Sequence, residues 1–226
     1  MSSTFQLLST GTDAKTVKGE KFGWQTFILY LAPHIASGRN VCPWASKGCA
    51  AACLNTAGRG AMKSVQDARL RKTRWFFEDR EGFMKALESD IDAAAKLAMR
   101  NKMKPCIRLN GTSDIGWERV IASFPTMQFY DYTKSKDRIL APVPANYHLT
   151  FSRSEENEAD ALDVLSHGKN VAVVFSSSDL PEHWNGYGVI DGDESDLRFL
   201  DEDNVVVGLK AKGKARQDTS GFVVPV

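Results

Sequence analysis

The chain has 226 residues, 42% hydrophobic and 25% charged, and its 29 Lys and Arg against 28 Asp and Glu leave a formal net charge of +1. That balance is ordinary for a globular protein; it excludes binding to nucleic acid or a membrane surface through bulk charge and leaves only a local patch. No apolar run is long enough to span a bilayer, and residues 1–22 lack the apolar core of a signal peptide. A cytoplasmic protein is therefore expected, with its four cysteines free or metal-bound rather than paired.

Residues 1–22 are polar and read as an N-terminal arm or short hairpin. No Pro/Gly linker or low-complexity tract divides the rest, so 1–226 reads as a single domain. Residues 23–32 (GWQTFILYLA) are apolar, aromatic and β-branched, as in a buried strand. The cysteine-rich run VCPWASKGCAAAC follows at 41–53. A helix is predicted over 64–80, with Ser64 as N-cap and Leu70, Arg74 and Phe77 at helical spacing. A second, over 82–102, places Phe83, Leu87, Ile91, Ala94 and Ala98 on one stripe. Strand-like runs then recur at 106–109, 127–130, 147–151 and 171–175, with helix-like stretches at 116–124, 136–140 and 155–165 between them. Gly168 stands where a C-cap glycine belongs. Further strand-like runs at 187–190, 197–200, 205–209 and 222–224 make the C-terminal part richer in β structure. Strands alternating with helices imply a parallel sheet with right-handed crossovers. The fold expected is α/β and TIM-barrel-like, a closed or partial parallel barrel, with a doubly wound open sheet as the alternative.

In such folds ligands bind at the carboxyl ends of the strands. Each strand from the second onward runs into polar residues, and the candidate cavity residues are Arg108, Asn110, Asp114, Lys134, Arg153, Asn157, Asp191, Asp193, Lys210 and Lys212. Lys and Arg mixed with Asp and Asn suit a small polar or anionic ligand bearing phosphate or carboxylate. Lys210, Lys212, Lys214 and Arg216 make a candidate anion-binding patch that could take nucleic acid; the plainer reading is a solvated basic loop.

The three cysteines Cys42, Cys49 and Cys53 narrow the chemistry most. If 49–55 is helical, Cys49 and Cys53 share a face at i and i+4, with Cys42 in the preceding loop and Pro43 stiffening its exit. Cys106 begins its strand roughly 13 Å from the ligand end at strand rise, so it reads as a core residue. Structural zinc wants four ligands, commonly with close C-x2–4-C pairs. The spacing C-x6-C-x3-C matches that poorly, although His34 would complete a Cys3His site. An iron–sulfur cluster held by three thiolates fits better and leaves one position open. The run Asp191-x-Asp193-x-Ser195 with Glu202 echoes a calcium loop, but Asp196 stands where glycine is required. There is no Walker A sequence, dinucleotide fingerprint or nucleophile elbow.

The segment CPWASKGCAAACLNTAGRG resembles the three-cysteine segment of the phage and prophage family gene product eighty-eight. The resemblance continues through RLNGTSDIGWE, FYDYTKS, HLTFSRSEEN, NVAVVF, VIDGDESDLRFLD and GLKAKGKARQDTSGFVV, most of the chain from Cys42 onward. The cysteine segment is also similar, at a distance, to the radical S-adenosylmethionine (SAM) pattern, in which three cysteines after the first barrel strand hold a 4Fe–4S cluster and SAM chelates the fourth iron. That resemblance implies Cys42, Cys49 and Cys53 as cluster ligands, with SAM a possible second cofactor and the host cytoplasm as the location. Two departures count against SAM chemistry. The gaps are longer than the C-x3-C-x2-C of radical-SAM proteins, and no glycine-rich SAM-contacting strand is evident. The resemblance names a scaffold and not a reaction. The leading expectation is a radical-SAM-like or redox enzyme acting on a small or nucleotide-like polar substrate; a cluster-bearing protein that binds nucleic acid or a host partner, or a zinc-bearing binding module, stands beside it.

Overall fold

The computed structural model describes residues 5–11 and 14–226. The predicted N-terminal arm is partly ordered onto the sheet, and its residues 1–4 and 12–13 lie outside the described set. A short strand β1 (Leu8–Ser9) pairs antiparallel with β2 (Trp24–Leu29). Between them lies the single turn α1 (Ala14–Val17). Asp90 fixes this edge by accepting the backbone N–H groups of Gln6, Leu7 and Leu8, two of them at 2.7 and 2.9 Å.

After β2 come the cysteine-bearing helix α2 (Lys47–Ala51) and the long pair α3 (Lys63–Glu78) and α4 (Arg80–Arg100). Asp79 separates the last two. It ends α3 and caps α4, its carboxylate accepting Gly82 N–H. The predicted stripe Phe83, Leu87, Ile91, Ala94 and Ala98 is wholly buried and shares one core with Phe27, Leu29, Ile107 and Phe129 of the sheet and with Leu109. Each such Leu, Ile or Phe contributes about 1.5–3 kcal/mol by leaving water.

The rhythm read from the sequence follows as β3 (Lys104–Arg108), α5 (Glu118–Ala122), β4 (Gln128–Thr133), α6 (Lys136–Leu140), β5 (Tyr147–Ser152), α7 (Glu158–Ser166) and β6 (Val171–Phe175). The C-terminal part adds β7 (His183–Trp184), β8 (Tyr187–Asp191), β9 (Val206–Lys210) and β10 (Val223–Val224). One sheet contains all ten strands, in the order β1-β2-β3-β4-β5-β6-β9-β8-β7, with β10 also on β6. Pairing is parallel from β2 through β9 to β8 and antiparallel at the two ends. The protein is thus mixed α/β with a mostly parallel sheet that pairing does not close. No helix among the described residues is long and apolar enough to cross a membrane.

The sheet's other face packs against the segment that follows β8. Thr26, Cys106, Arg108 and Tyr130 lie on that face, and Leu197 packs against Cys106 and Tyr130. Phe199 lies edge-on to Trp24 of β2, with ring centroids 4.8 Å apart. The run 197–200, expected as a strand, is a 3-10 turn (Arg198–Leu200). Its alternating Leu197 and Phe199 mimic a strand, but both turn inward to pack on β2, β3 and β4, and the backbone satisfies itself locally. The helix expected from 155 begins at Glu158, because Asn157 bends back to accept Ser154 N–H and Glu155 is engaged elsewhere.

Candidate functional site

At the carboxyl ends of β2, β3, β4, β5, β6 and β9 lies a cleft of about 290 Å³, and Cys42, Cys49 and Cys53 all line it. The loop after β2 brings Cys42 there. Its sulfur accepts the His34 backbone N–H at 3.3 Å, and its thiol donates to Thr112 O at 3.6 Å. His34 holds a left-handed backbone, φ +49°, to make that contact. Its ring is not among the groups lining the cleft, so His34 serves Cys42 through its backbone.

The helix expected over 49–55 is shorter than the spacing suggested. α2 ends at Ala51, and Cys53 takes an extended conformation before a 3-10 turn at Leu54–Thr56. Cys49 and Cys53 therefore reach the cleft from a helix and from the chain leaving it, not from one helical face. Ser46 caps α2, its hydroxyl oxygen accepting Cys49 N–H at 3.1 Å. Glu155, in the loop after β5, accepts the Ser46 hydroxyl at 2.8 Å and Gly48 N–H at 2.6 Å.

Two of the three thiols, Cys42 and Cys49, resist ionisation as they stand. Burial pushes Cys42 up to about 12, with the charges of Cys53 and Cys49 adding to it. Burial raises Cys49 as well, opposed by the Lys134 ammonium and reinforced by Cys53, Glu155 and Asp114. Among the described residues, no three His, Cys, Asp or Glu side chains are drawn close enough to hold one metal ion. Three cysteines lining one cleft are the donor type that zinc and iron–sulfur centres share. Cys106 is fully buried, bonded to Thr26 Oγ1 at 3.3 Å, and does not line the cleft.

Seven of the ten predicted cavity residues line the cleft: Arg108, Asn110, Asp114, Lys134, Asp193, Lys210 and Lys212. Most have their polar groups engaged. Arg108 is paired with Asp196 at 3.1 Å, and Tyr130 O–H donates to the same carboxylate at 3.0 Å. Asn110 holds its loop, its Oδ1 accepting from Ser113, Ile115 N–H and Trp117. Asp114 accepts Lys134 N–H at 2.8 Å and pairs with Arg138 at 2.6 Å. Lys134 spends its ammonium on neutral oxygens, Ser152 Oγ at 2.6 Å and the carbonyls of Ser152 and Arg153.

The other three do not line the cleft. Arg153 binds Glu158 and the carbonyls of Gly221 and Phe222, so it anchors the C-terminal segment. Asn157 shapes the turn after β5 by donating to Ser152 O. Asp191 pairs with Lys210 at 3.0 Å. Lys212 pairs with Asp193, so two cations of the predicted anion patch are already matched by carboxylates. The same pairings occupy the carboxylates of the calcium-like run.

Lys18, Tyr132, Asp196 and Phe222 also line the cleft and were not among the predicted residues. Lys18 comes from the arm and donates to Asp193 O. Phe222 arrives because β10 pairs with β6 at Val174 and Phe175, beyond the point where β5 pairs at Val171 and Ala172. Tyr132 carries the one readable signal, since it stands just after the run 127–130, which was expected to end at the site.

No curated protein and no solved structure matches the chain. The model of one family, Gene product 88, matches residues 6–225, which includes the cysteine segment and every cleft-lining residue named above. The chain belongs to the Gene product 88 family.

Proposed function

We propose that Cys42, Cys49 and Cys53 hold an iron–sulfur cluster, of the 4Fe–4S type, and that the protein is an enzyme acting on a small polar or nucleotide-like substrate in the adjoining cleft. The observation that carries this reading is the convergence of all three thiols on one cleft while Cys106 is packed elsewhere. No histidine and no fourth cysteine line that cleft among the described residues. Such a centre, when bound, supplies a one-electron donor and an open coordination position, for which SAM is a candidate ligand. The mostly parallel sheet is then read as a partial barrel, with the site at its carboxyl end as in barrel enzymes.

This chain's own residues would do the rest. Lys134 places a positive charge beside Cys49 while its protons rest on neutral oxygens. Arg108, held by Asp196, forms a fixed cationic wall, and Lys18 sits at another. Leu54, Val174, Leu209 and Phe222 give the cleft apolar surface that excludes water from a bound ligand.

The test is anaerobic purification with assays for iron, labile sulfide, zinc and the visible spectrum. A brown protein with iron and sulfide, both lost on Cys42→Ala, supports the centre. Cleavage of SAM by the loaded protein with a reductant supports the SAM-dependent version. A colourless protein with one zinc overturns the cluster, and a loaded protein that neither binds nor cleaves SAM overturns that chemistry.

A further inference from the structure

We infer that Glu155 is a positioning residue for the cysteine centre, clamping the Cys49-bearing helix to the loop after β5 and to the C-terminal segment; this rests on the cluster reading proposed above. Both carboxylate oxygens are committed to α2. Oε1 takes Gly48 N–H at 2.6 Å, and Oε2 takes the Ser46 hydroxyl at 2.8 Å. Ser46 passes the constraint on, since its oxygen accepts the backbone N–H of Cys49 itself at 3.1 Å. Two residues of the cysteine run and the amide of a third thus hang on one side chain more than a hundred positions away.

The clamp is built tightly. A Cβ at Gly48 would lie 2.7 Å from each Glu155 oxygen, so only glycine allows the carboxylate this close to the helix. Ser220 Oγ closes on the same spot from the C-terminal side. Two residues before Glu155, Arg153 binds the carbonyls of Gly221 and Phe222. Residues 152–158 therefore join the cysteine helix to the segment that supplies β10 and Phe222. A five-residue helix has too little propensity to hold itself in place, so the geometry of Cys49 depends on this joint. Groups that orient metal ligands typically change metal affinity about 10–100-fold when removed. The carboxylate also places a negative charge beside the centre, and local charge is one determinant of a cluster's reduction potential.

The full chain, purified without oxygen, gives two independent readouts. In the metal-free chain, the rate of alkylation of each cysteine is followed by peptide mass spectrometry. Glu155→Ala should speed alkylation of Cys49 about tenfold and that of buried Cys106 not at all. Glu155→Gln, which keeps an acceptor for Gly48 N–H, should restore most of the protection. In the iron-loaded chain, Glu155→Ala should lose iron to a chelator at least tenfold faster, and Glu155→Gln should keep its iron at a more positive midpoint potential. Unchanged Cys49 alkylation in Glu155→Ala overturns the inference, and so does equal acceleration at Cys106, which signals general unfolding. If the wild-type chain retains no iron, the cluster reading fails while the alkylation result still decides the role of Glu155.

Discussion

Asp196→Asn is expected to be among the most damaging single changes in this fold, and the structure gives its size. Asp196 faces Arg108 at 3.1 and 3.3 Å and accepts the Tyr130 hydroxyl at 3.0 Å. The Arg108 side chain is 6% exposed and that of Asp196 11%. Burial works against the Arg108 charge, and Asp196, foremost among several neighbours that together outweigh it, helps hold the guanidinium ionised. An asparagine keeps the shape and removes the charge, stranding Arg108 in a site that already leaves its Nε without a partner among the described residues. Breaking a buried pair from one side typically costs about 3–5 kcal/mol. For a chain of this size, that corresponds to a fall in Tm of roughly 6–20 °C at about 2–4 °C per kcal/mol. The assay is thermal and urea unfolding of Asp196→Asn beside the double variant Arg108→Met/Asp196→Leu, which fills the space with apolar atoms. The double variant should recover most of the loss, because apolar replacement of a whole buried pair is often neutral or better. A single-variant loss under about 1 kcal/mol, or a double variant no better than the single, refutes the view that this ion pair ties the segment after β8 to β3.

Gly48→Ala should displace Glu155 and cost about 1–3 kcal/mol by overpacking, read as a lower urea midpoint; the same variant should mimic Glu155→Ala in Cys49 alkylation. An unchanged midpoint would mean the joint has slack the structure does not show. Asp131 should give a pH signature. Burial raises its carboxyl from 3.8 to about 7, against hydrogen bonds from Asn110 N–H and the Tyr147 hydroxyl. A group that keeps its proton in the folded state stabilises fully below the unfolded value and loses that contribution as pH rises through the folded one. Wild-type stability relative to Asp131→Asn should therefore fall between pH 4 and 7 and level off above. A gap between the two that is flat with pH, or that widens with pH, contradicts the raised value.

The legible part of the fold was the part governed by periodicity. α4 announces itself because its apolar residues recur every three or four positions and all face one sheet. The strands β3 to β6 are legible for a related reason: each is a short apolar run bounded by polar turns, and their spacing leaves room for one helix. Periodicity fails where a segment is shaped by what it touches. Leu197 and Phe199 alternate as in a strand, yet the chain there turns in 3-10 geometry, because Asp196 and Arg198 are drawn into the interior with them. The arm fails likewise: nothing in its composition shows that Asp90, over eighty residues away, will accept its backbone donors.

The same distinction divides the site. Spacing alone put the three cysteines after the first long strand, and parallel α/β topology put that point at the ligand end, so their convergence on the cleft needed no contact information. Arg153 and Asn157 also stand directly after a strand, and they turn away. The reason is energetic. A loop carries backbone groups that must be satisfied before any side chain is free for a ligand. Asn157 does this for the loop's own Ser152 and Ser154, and Arg153 for the carbonyls of the C-terminal segment. Glu155 lies between them and is spent on the helix that carries Cys49. The loop after β5 thus supports the cysteines from behind, whereas the residues after β3 and β4 line the cleft. Strand-end position marks which residues can reach the site; backbone duties turn Arg153 and Asn157 away from it, whereas Asn110 and Asp114 bond loop backbone and line the cleft as well.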